Sequence, residues 1–493
     1  MKNRKLIILL VLAVILLGAA VLRLYNLEEE SLWLDECFTL DYSSKPIPSL
    51  IETLKKDVHP IGYYLPQHLL LDYFGSSEIS LRILSVFFGV LSVYLTYLLG
   101  KKFFSWKEGL LAAFFMAMSY TAILYSQDAK MYSMFGAFFL LSLLAFIRFL
   151  EKPSWLNTVF FSLSSALLLY THIIGLVIFG GYFCFYVTGY LLKHNAGIGS
   201  SFSYKTLFSS KIFLVLLIVF LLYWPWFTML VLYQLPRLYI SLGEKFIEKT
   251  GLNLLPVVVA SMIFLVLLYV IILYLMVKGK INVDNIQKRF GSSTFLANEK
   301  ALFLLLLLFL AFDLLVSRYL FSSVPIVRFV FFLLPMGQIL LSRILLRMKS
   351  THFATILFVL FMISASFELY KYYQVDSKEQ FREAAKYVEN HASAADILFL
   401  HRATIAKLCF DYYYSGNVEE IRLITSGEDD YLLMERAAGK RDAYLVLTHN
   451  YHTKDYFKRK MDALYELVEE KKFIGITIYK YRISDAYSRT SES

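Results

Sequence analysis

The sequence predicts a mostly α-helical bundle that crosses a membrane many times and ends in a small extracytoplasmic α/β domain. Three observations predict it. Of the 493 residues, 58% are hydrophobic and the mean hydropathy is +0.57, which is the composition of a multi-span membrane protein and excludes a large soluble enzyme. Apolar runs close to the ~20 residues that one bilayer-crossing helix needs recur up to Tyr370. Beyond Tyr370 the pattern changes to amphipathic segments alternating with short apolar ones.

The apolar runs fall near 6–24, 81–99, 109–125, 131–150, 155–171, 173–192, 212–232, 253–277, 301–316, 325–342 and 352–370, which makes about eleven spans. The first follows a short basic start (Lys2, Arg4, Lys5). Its run is longer than a signal-peptide core and no A-x-A-like site follows, so it reads as a retained helix. Trp224, Pro225 and Trp226 read as an interfacial aromatic belt with a kink.

Charge placement orients the bundle. The formal net charge is +10, but the basic residues are not clustered as for nucleic acid. Nineteen Lys and Arg lie in the alternate short segments that share a side with Lys2, including Lys101, Lys102, Arg343 and Arg347, against eight on the other side. Cytoplasmic loops carry that excess. The N-terminus is therefore expected in the cytoplasm, with the 25–79 segment and the C-terminus outside the plasma (inner) membrane.

Residues 1–370 form the expected transmembrane domain and 371–493 the outer one. In the latter, KEQFREAAKYVENH reads as an amphipathic helix, ILFLH as a buried strand and TIAKLCFDYYYSG as a helix ending at Gly416. AYLVLTH and ITIYKYRI read as strands separated by a helix. The preferred role is a cap that packs on the bundle. Of three cysteines, Cys37, Cys184 and Cys409, none has metal-ligand spacing. Pairing of Cys37 with Cys409 is open, and unpaired small hydrophobes are the preferred reading.

The candidate chemistry gathers in the segments expected outside. LWLDECF places Asp35 and Glu36 against apolar neighbours at the membrane lip, where burial raises a carboxylate toward the range of a useful base. One of the pair is expected to face a cavity while the other braces it, since helix neighbours sit about 100° apart. DVHP adds Asp57 and His59, with Asp57 placed to orient the imidazole and Tyr63 and Tyr64 following. ILYSQDAKMYSMF brings Tyr125, Gln127, Asp128, Lys130 and Tyr132, and Lys130 suits a phosphate ligand or an ion pair with Asp128. YTHII adds Tyr170 and His172. Arg318, Tyr319 and Arg328 follow, and Arg328, just inside a span, points to anion binding because an unpaired guanidinium there is expensive. Arg82 is balanced between a ligand-binding residue and an interfacial anchor.

A carboxylate base, one or two cations and aromatic surfaces on one face fit transfer of a sugar from a lipid phosphate. A nucleotide-sugar donor is excluded by the lack of a Gly-rich phosphate loop. A departing phosphate needs no general acid when a cation neutralises it, so one base suffices. A carboxylate pair is compatible with a divalent cation and does not require one.

The DE pair after the first helix, DVHP, Arg82, YSQDAKMYS, YTH and a late arginine followed by FLLP together resemble the GT-C superfamily of polyprenyl-phosphate-sugar-dependent glycosyltransferases. The branch of protein O-mannosyltransferases and lipid A aminoarabinose and galacturonic-acid transferases is the most similar. The resemblance implies Asp35 as catalytic carboxylate and Glu36 as its supporting neighbour. It implies Lys130 and Arg328 as ligands of the lipid phosphate, with Asp57, His59, Arg82, Tyr125, Gln127, Asp128, Tyr132 and His172 around the substrates. Two departures stand out: the usual SQEARMY appears as SQDAKMY, and Ile61 replaces the usual second proline after HP. Lysine makes the phosphate contact a point charge rather than a bidentate clamp. The implied partners are a polyprenyl-phosphate-linked sugar and an extracytoplasmic acceptor, namely a glycolipid, protein or cell-surface polysaccharide, within membrane lipid and without nucleic acid. Two other readings keep the topology: a transporter of lipid-linked saccharides, and a ligase or polymerase of lipid-linked oligosaccharides.

Overall fold

The computed structural model describes residues 2–195, 211–237, 331–401, 406–423, 430–448 and 454–483. Among the described residues up to Gln374 helices dominate, and the sheet lies after them. Among the described residues, five helices are long and apolar enough to cross a membrane: Asn3–Leu24, Glu78–Phe103, Tyr132–Glu151, Lys211–Arg237 and Thr351–Gln374. The protein is thus an integral membrane protein. Trp155–Thr171 and Ile174–Asn195 form two further apolar helices divided at His172. The spans expected at 253–277 and 301–316, and the start of the one at 325–342, lie outside the described residues.

Two expected spans take a different form. The run at 109–125 is a pair of helices, Trp106–Met118 and Tyr120–Ser126, bent by 62°. Ser119 between them has extended backbone, and its side chain accepts from the Ala122 N–H to cap the second helix. The run at 325–342 continues as a short 3-10 turn, Phe331–Leu333, and a helix, Leu334–Arg347.

Outward-facing surface explains why apolar runs this long are stable. Thr351–Gln374 exposes Ile356, Leu360, Ile363 and Phe367, and Asn3–Leu24 exposes Leu6, Leu10, Val14 and Leu17, surfaces that belong in hydrocarbon. Arg343 meets Glu108 at 2.6 Å and joins Leu334–Arg347 to Trp106–Met118. On Lys211–Met229, Trp224 is exposed as a belt residue is, whereas Trp226 is buried.

The chain divides into two compact units: 1–25, 45–73 and 82–368 form the first, and 26–44, 74–81 and 369–493 the second. The second unit therefore takes in the Leu34–Ser43 helix that carries Asp35 and Glu36.

The second unit holds a five-stranded sheet of β1 (Ile397–His401), β2 (Glu419–Leu423), β3 (Asp442–Thr448), β4 (Glu466–Phe473) and β5 (Ile476–Arg482), in the order β2-β1-β3-β5-β4. β1 is parallel to β2 and β3, and β5 is antiparallel to β3 and β4. β1 and β3 are buried along their whole length, as their continuous apolar sequences require. The amphipathic Phe381–His391 helix buries Phe381, Ala384, Ala385 and Val388. The expected helix over TIAKLCFDYYYSG is shorter than its sequence pattern: Ala406–Phe410 is a π-turn, and Asp411–Tyr413 ends three residues before Gly416.

Unpaired cysteines are the expectation the structure overturns most directly. Cys37 and Cys409 form a disulfide with Cα atoms 5.4 Å apart across 372 residues of sequence, and the exposed Cys184 is not disulfide-bonded.

The start of β1 is fixed by one buried carboxylate. Asp396 accepts from the Ser393 N–H at 2.7 Å, from Arg441 at 2.9 and 3.1 Å and from the Asp442 N–H at 3.2 Å. Burial opposes its charge, but the Arg441 and Ser393 hydrogen bonds outweigh this and hold its pKa below the ordinary 3.8. Its contribution is complete above the ordinary value and is lost as pH falls through the depressed one. Asp396→Asn is expected to cost about 1–3 kcal/mol at neutral pH, the scale of hydrogen bonds to a charged group, reduced at the solvent-screened Arg441 end. Hydrogen exchange of β1 and β3 amides in the full-length protein measures it. The wild type should lose protection on acidification below pH about 4, and the variant should lack that step.

Candidate active site

Within the first unit, residues 57–64 form the centre of the site. Asp57 Oδ1 lies 2.7 Å from His59 Nδ1 and also accepts from the Val58 N–H at 2.5 Å. This orients the imidazole and leaves Nε2 to point elsewhere. Gln234 donates to the carbonyls of Leu54 and His59 at 3.1 and 3.2 Å, pinning the loop from the far side. The His59 and His172 rings are 6.3 Å apart, and Phe135 packs on His172 at 5.1 Å.

The next turn of the same loop reaches two other elements. The Gly62 N–H donates to the Tyr170 carbonyl at 2.9 Å, and a Cβ at Gly62 would run into that carbonyl. Tyr63 shares a hydrogen bond with Ser85 at 2.8 Å, and Ser85 donates to the Lys130 carbonyl at 3.1 Å. Lys130 is 5% exposed, and its ammonium lies 5.9 Å from the Tyr64 ring centre. No carboxylate among the described residues is within ion-pair distance of it, so the expected alternative of an ion pair with Asp128 is not formed. His59, His172 and Lys130 are thus brought to one short stretch of backbone from three separate segments.

Four other candidates, Arg82, Tyr125, Gln127 and Asp128, are buried. Gln127 donates to the carbonyls of Arg23 and Tyr25 at 3.0 and 2.8 Å. Tyr125 packs in the apolar core against Tyr132 at 5.1 Å and Phe331 at 4.8 Å. Asp128 is buried, and so is Arg82, on the Glu78–Phe103 helix. Arg318, Tyr319 and Arg328 lie outside the described residues. No group of three or more His, Cys, Asp or Glu side chains converges among the described residues in a way that could hold a metal ion.

Arg23 is the residue that sequence reasoning missed. Fully buried, it donates to the carbonyls of Met116 and Ala117 at 3.3 Å, to Ala19 at 3.1 Å and to Ser126 Oγ at 3.1 Å. The 62° bend frees backbone acceptors just before Ser119, and in hydrocarbon such groups must find a donor. The guanidinium supplies several at once. Gly89 makes room, since a Cβ there would collide with Ser126 Oγ and come within 3.0 Å of Arg23 Nε.

In the second unit, the Leu34–Ser43 helix presents a half-buried Asp35 beside a fully buried Glu36. Glu36 caps its own helix by accepting from the Trp33 N–H at 3.4 Å and pairs with Lys378 at 3.1 Å. The two carboxylates thus have the unequal surroundings expected of adjacent helix positions.

Residues 58–229 match the family model for dolichyl-phosphate-mannose-protein mannosyltransferases. Among solved structures, the Archaeoglobus fulgidus oligosaccharyltransferase in complex with zinc and sulfate aligns with TM-score 0.51 and 13% identity, over 95% of this chain and 72% of that one. The archaeal oligosaccharyltransferase AglB from the same organism, with an inhibitory peptide and a dolichol-phosphate, gives TM-score 0.51 and 13% identity over 97% and 74%. ArnT from Cupriavidus metallidurans in the apo state aligns at TM-score 0.48 and 11% identity over 97% and 98%. No curated protein matches the chain. The likeness to the two archaeal oligosaccharyltransferase structures shows a shared fold, and the mannosyltransferase model is matched over residues 58–229. The matched segment holds His59, Lys130 and His172.

Arg23→Met is expected to leave the acceptors at the helix bend unpaired, costing about 1–3 kcal/mol for each lost charged hydrogen bond that water cannot replace. The melting temperature of the purified protein in detergent should fall by several degrees. An unchanged melting temperature would show that the bend does not depend on Arg23.

Proposed function

We propose that the protein transfers a sugar from a polyprenyl-phosphate donor to a hydroxyl-bearing acceptor at the outer face of the plasma (inner) membrane, with inversion at the anomeric carbon. Asp35 takes the acceptor proton as general base, and the freed oxygen attacks the anomeric carbon. The bond from that carbon to the phosphate oxygen breaks, and polyprenyl phosphate leaves with the electron pair. Lys130, with Arg328, neutralises the charge developing on the phosphate, so no general acid is required. The acceptor is a glycolipid, a protein or a cell-surface polysaccharide.

The observation that carries this reading is Lys130: a nearly buried ammonium over an aromatic ring, without a carboxylate partner among the described residues, inside the mannosyltransferase-matched segment. A buried cation with no anion of its own is the arrangement an anionic ligand completes. Asp57 and His59, with His172 nearby, add an oriented polar edge for sugar or acceptor hydroxyls. The Cys37–Cys409 disulfide supports an oxidising, extracytoplasmic side for the second unit, as does the distribution of Lys and Arg.

A deletion strain should accumulate the unused lipid-linked sugar, identifiable by mass spectrometry. Membranes from it, supplied with purified protein, should consume that donor. Asp35→Asn should slow consumption by about 10²–10⁴-fold, the contribution of a general base, while undecaprenyl phosphate still binds. Lys130→Met should weaken undecaprenyl phosphate binding by at least tenfold, a loss of about 1.4 kcal/mol. Unimpaired consumption by Asp35→Asn would refute a carboxylate-catalysed transfer and favour a transporter.

A further inference from the structure

The loop that carries Asp35 is fastened to the C-terminal part of its own unit at more points than a surface loop needs. Arg382 donates to the Glu28 and Glu29 carbonyls at 3.0 and 2.9 Å, and Glu30 accepts from the N–H groups of Ser377 and Lys378 at 2.5 and 3.1 Å. The Leu32 N–H donates to Tyr413 Oη at 2.7 Å, and Tyr413 donates in turn to Glu78 at 2.9 Å. The Leu34 N–H donates to the Glu379 carboxylate at 2.9 Å. The fastenings on either side of Asp35 differ in kind: Glu36 forms a buried ion pair with Lys378 at 3.1 Å, and Cys37 is covalently bound to Cys409.

We infer that Glu36, Lys378, Cys37 and Cys409 are positioning residues for Asp35, so that turnover requires the intact Cys37–Cys409 disulfide while donor binding does not. This rests on Asp35 being the base. A buried charge pair whose partner is removed leaves its other member uncompensated. Here that member is the immediate neighbour of the base in the first turn of a ten-residue helix. The disulfide closes on the next residue, so three consecutive positions share one fixed backbone. A general base must meet its proton within hydrogen-bond reach, and displacement of about 1 Å can cost on the order of 100-fold in rate. The groups that hold the donor phosphate in the proposed reaction, Lys130 and Arg328, are not among these positioning residues.

The test uses full-length protein in nanodiscs, donor-loaded membranes from the deletion strain and undecaprenyl phosphate as the binding probe. Reduction with dithiothreitol, which gives two electrons and two protons to the disulfide and itself becomes the cyclic disulfide, should lower kcat by about 10- to 100-fold. KM and undecaprenyl phosphate affinity should stay unchanged, and reoxidation should restore the rate. Cys37→Ala with Cys409→Ala should reproduce the loss and be insensitive to dithiothreitol. Lys378→Met should lower kcat in the same way, with Lys378→Arg recovering most of it. Monodisperse variants that keep the wild-type kcat would overturn the inference, as would a fall in undecaprenyl phosphate affinity that tracks kcat, which marks a merely structural role. Asp35→Asn separates the two readings: if it remains active, the assignment of the base fails. If it is inactive while the cysteine and Lys378 variants turn over normally, only the positioning fails.

Discussion

Everything in the first unit depends on how an apolar bundle tolerates backbone that is not helical. The bend between Trp106–Met118 and Tyr120–Ser126 leaves carbonyls without helical partners, and the Arg23 guanidinium takes them up. The same residue holds Ser126, the last residue before the Gln127–Lys130 turn, while Gln127 reaches back to the Arg23 carbonyl. The turn that presents Lys130 is therefore bolted from both directions to the end of the first helix. Ser85 and Tyr63 then link that turn to the His59 loop. The placing of Lys130 beside the His59 loop follows from these hydrogen bonds.

Much of this was legible in the sequence because membrane helices announce themselves by length and composition. The apolar runs near 6–24, 81–99, 131–150, 212–232 and 352–370 became continuous helices. The run near 109–125 did not, because hydropathy averages over Ser119 and cannot see a change of direction within an apolar stretch. Buried strands β1 and β3 were readable as continuous apolar runs, but β2 and β4 were not. Both are edge strands, and β4 is exposed along almost all of ELVEEKKF, with a bulge between Leu467 and Glu469. Without one buried face there is no period-two signal to read.

The chemistry was legible where residues act on near neighbours. DVHP was read as an oriented imidazole, and Asp57 and His59 are two positions apart. Long-range partnerships were harder to read: the pairing of Cys37 with Cys409, separated by 372 residues, was open but not preferred, and the pair of Glu36 with Lys378, almost as far apart, was not read at all. Arg23 was overlooked because a basic residue at the end of a first span looks like an ordinary flank. Gln127 and Tyr125 illustrate the opposite hazard. They sit in a motif with chemical residues on either side, yet their side chains are used to hold backbone and fill core.

The exposed edge of the C-terminal sheet has its own consequence. Among the described residues β4 pairs only with β5, and its Glu466, Glu469, Glu470, Lys471 and Lys472 line that strand with charges of both signs. Any extended peptide trying to zip onto it would have to match that charge order residue for residue, and a slip of one position would set like charges side by side. The domain can therefore leave a strand exposed without recruiting unrelated chains or copies of itself.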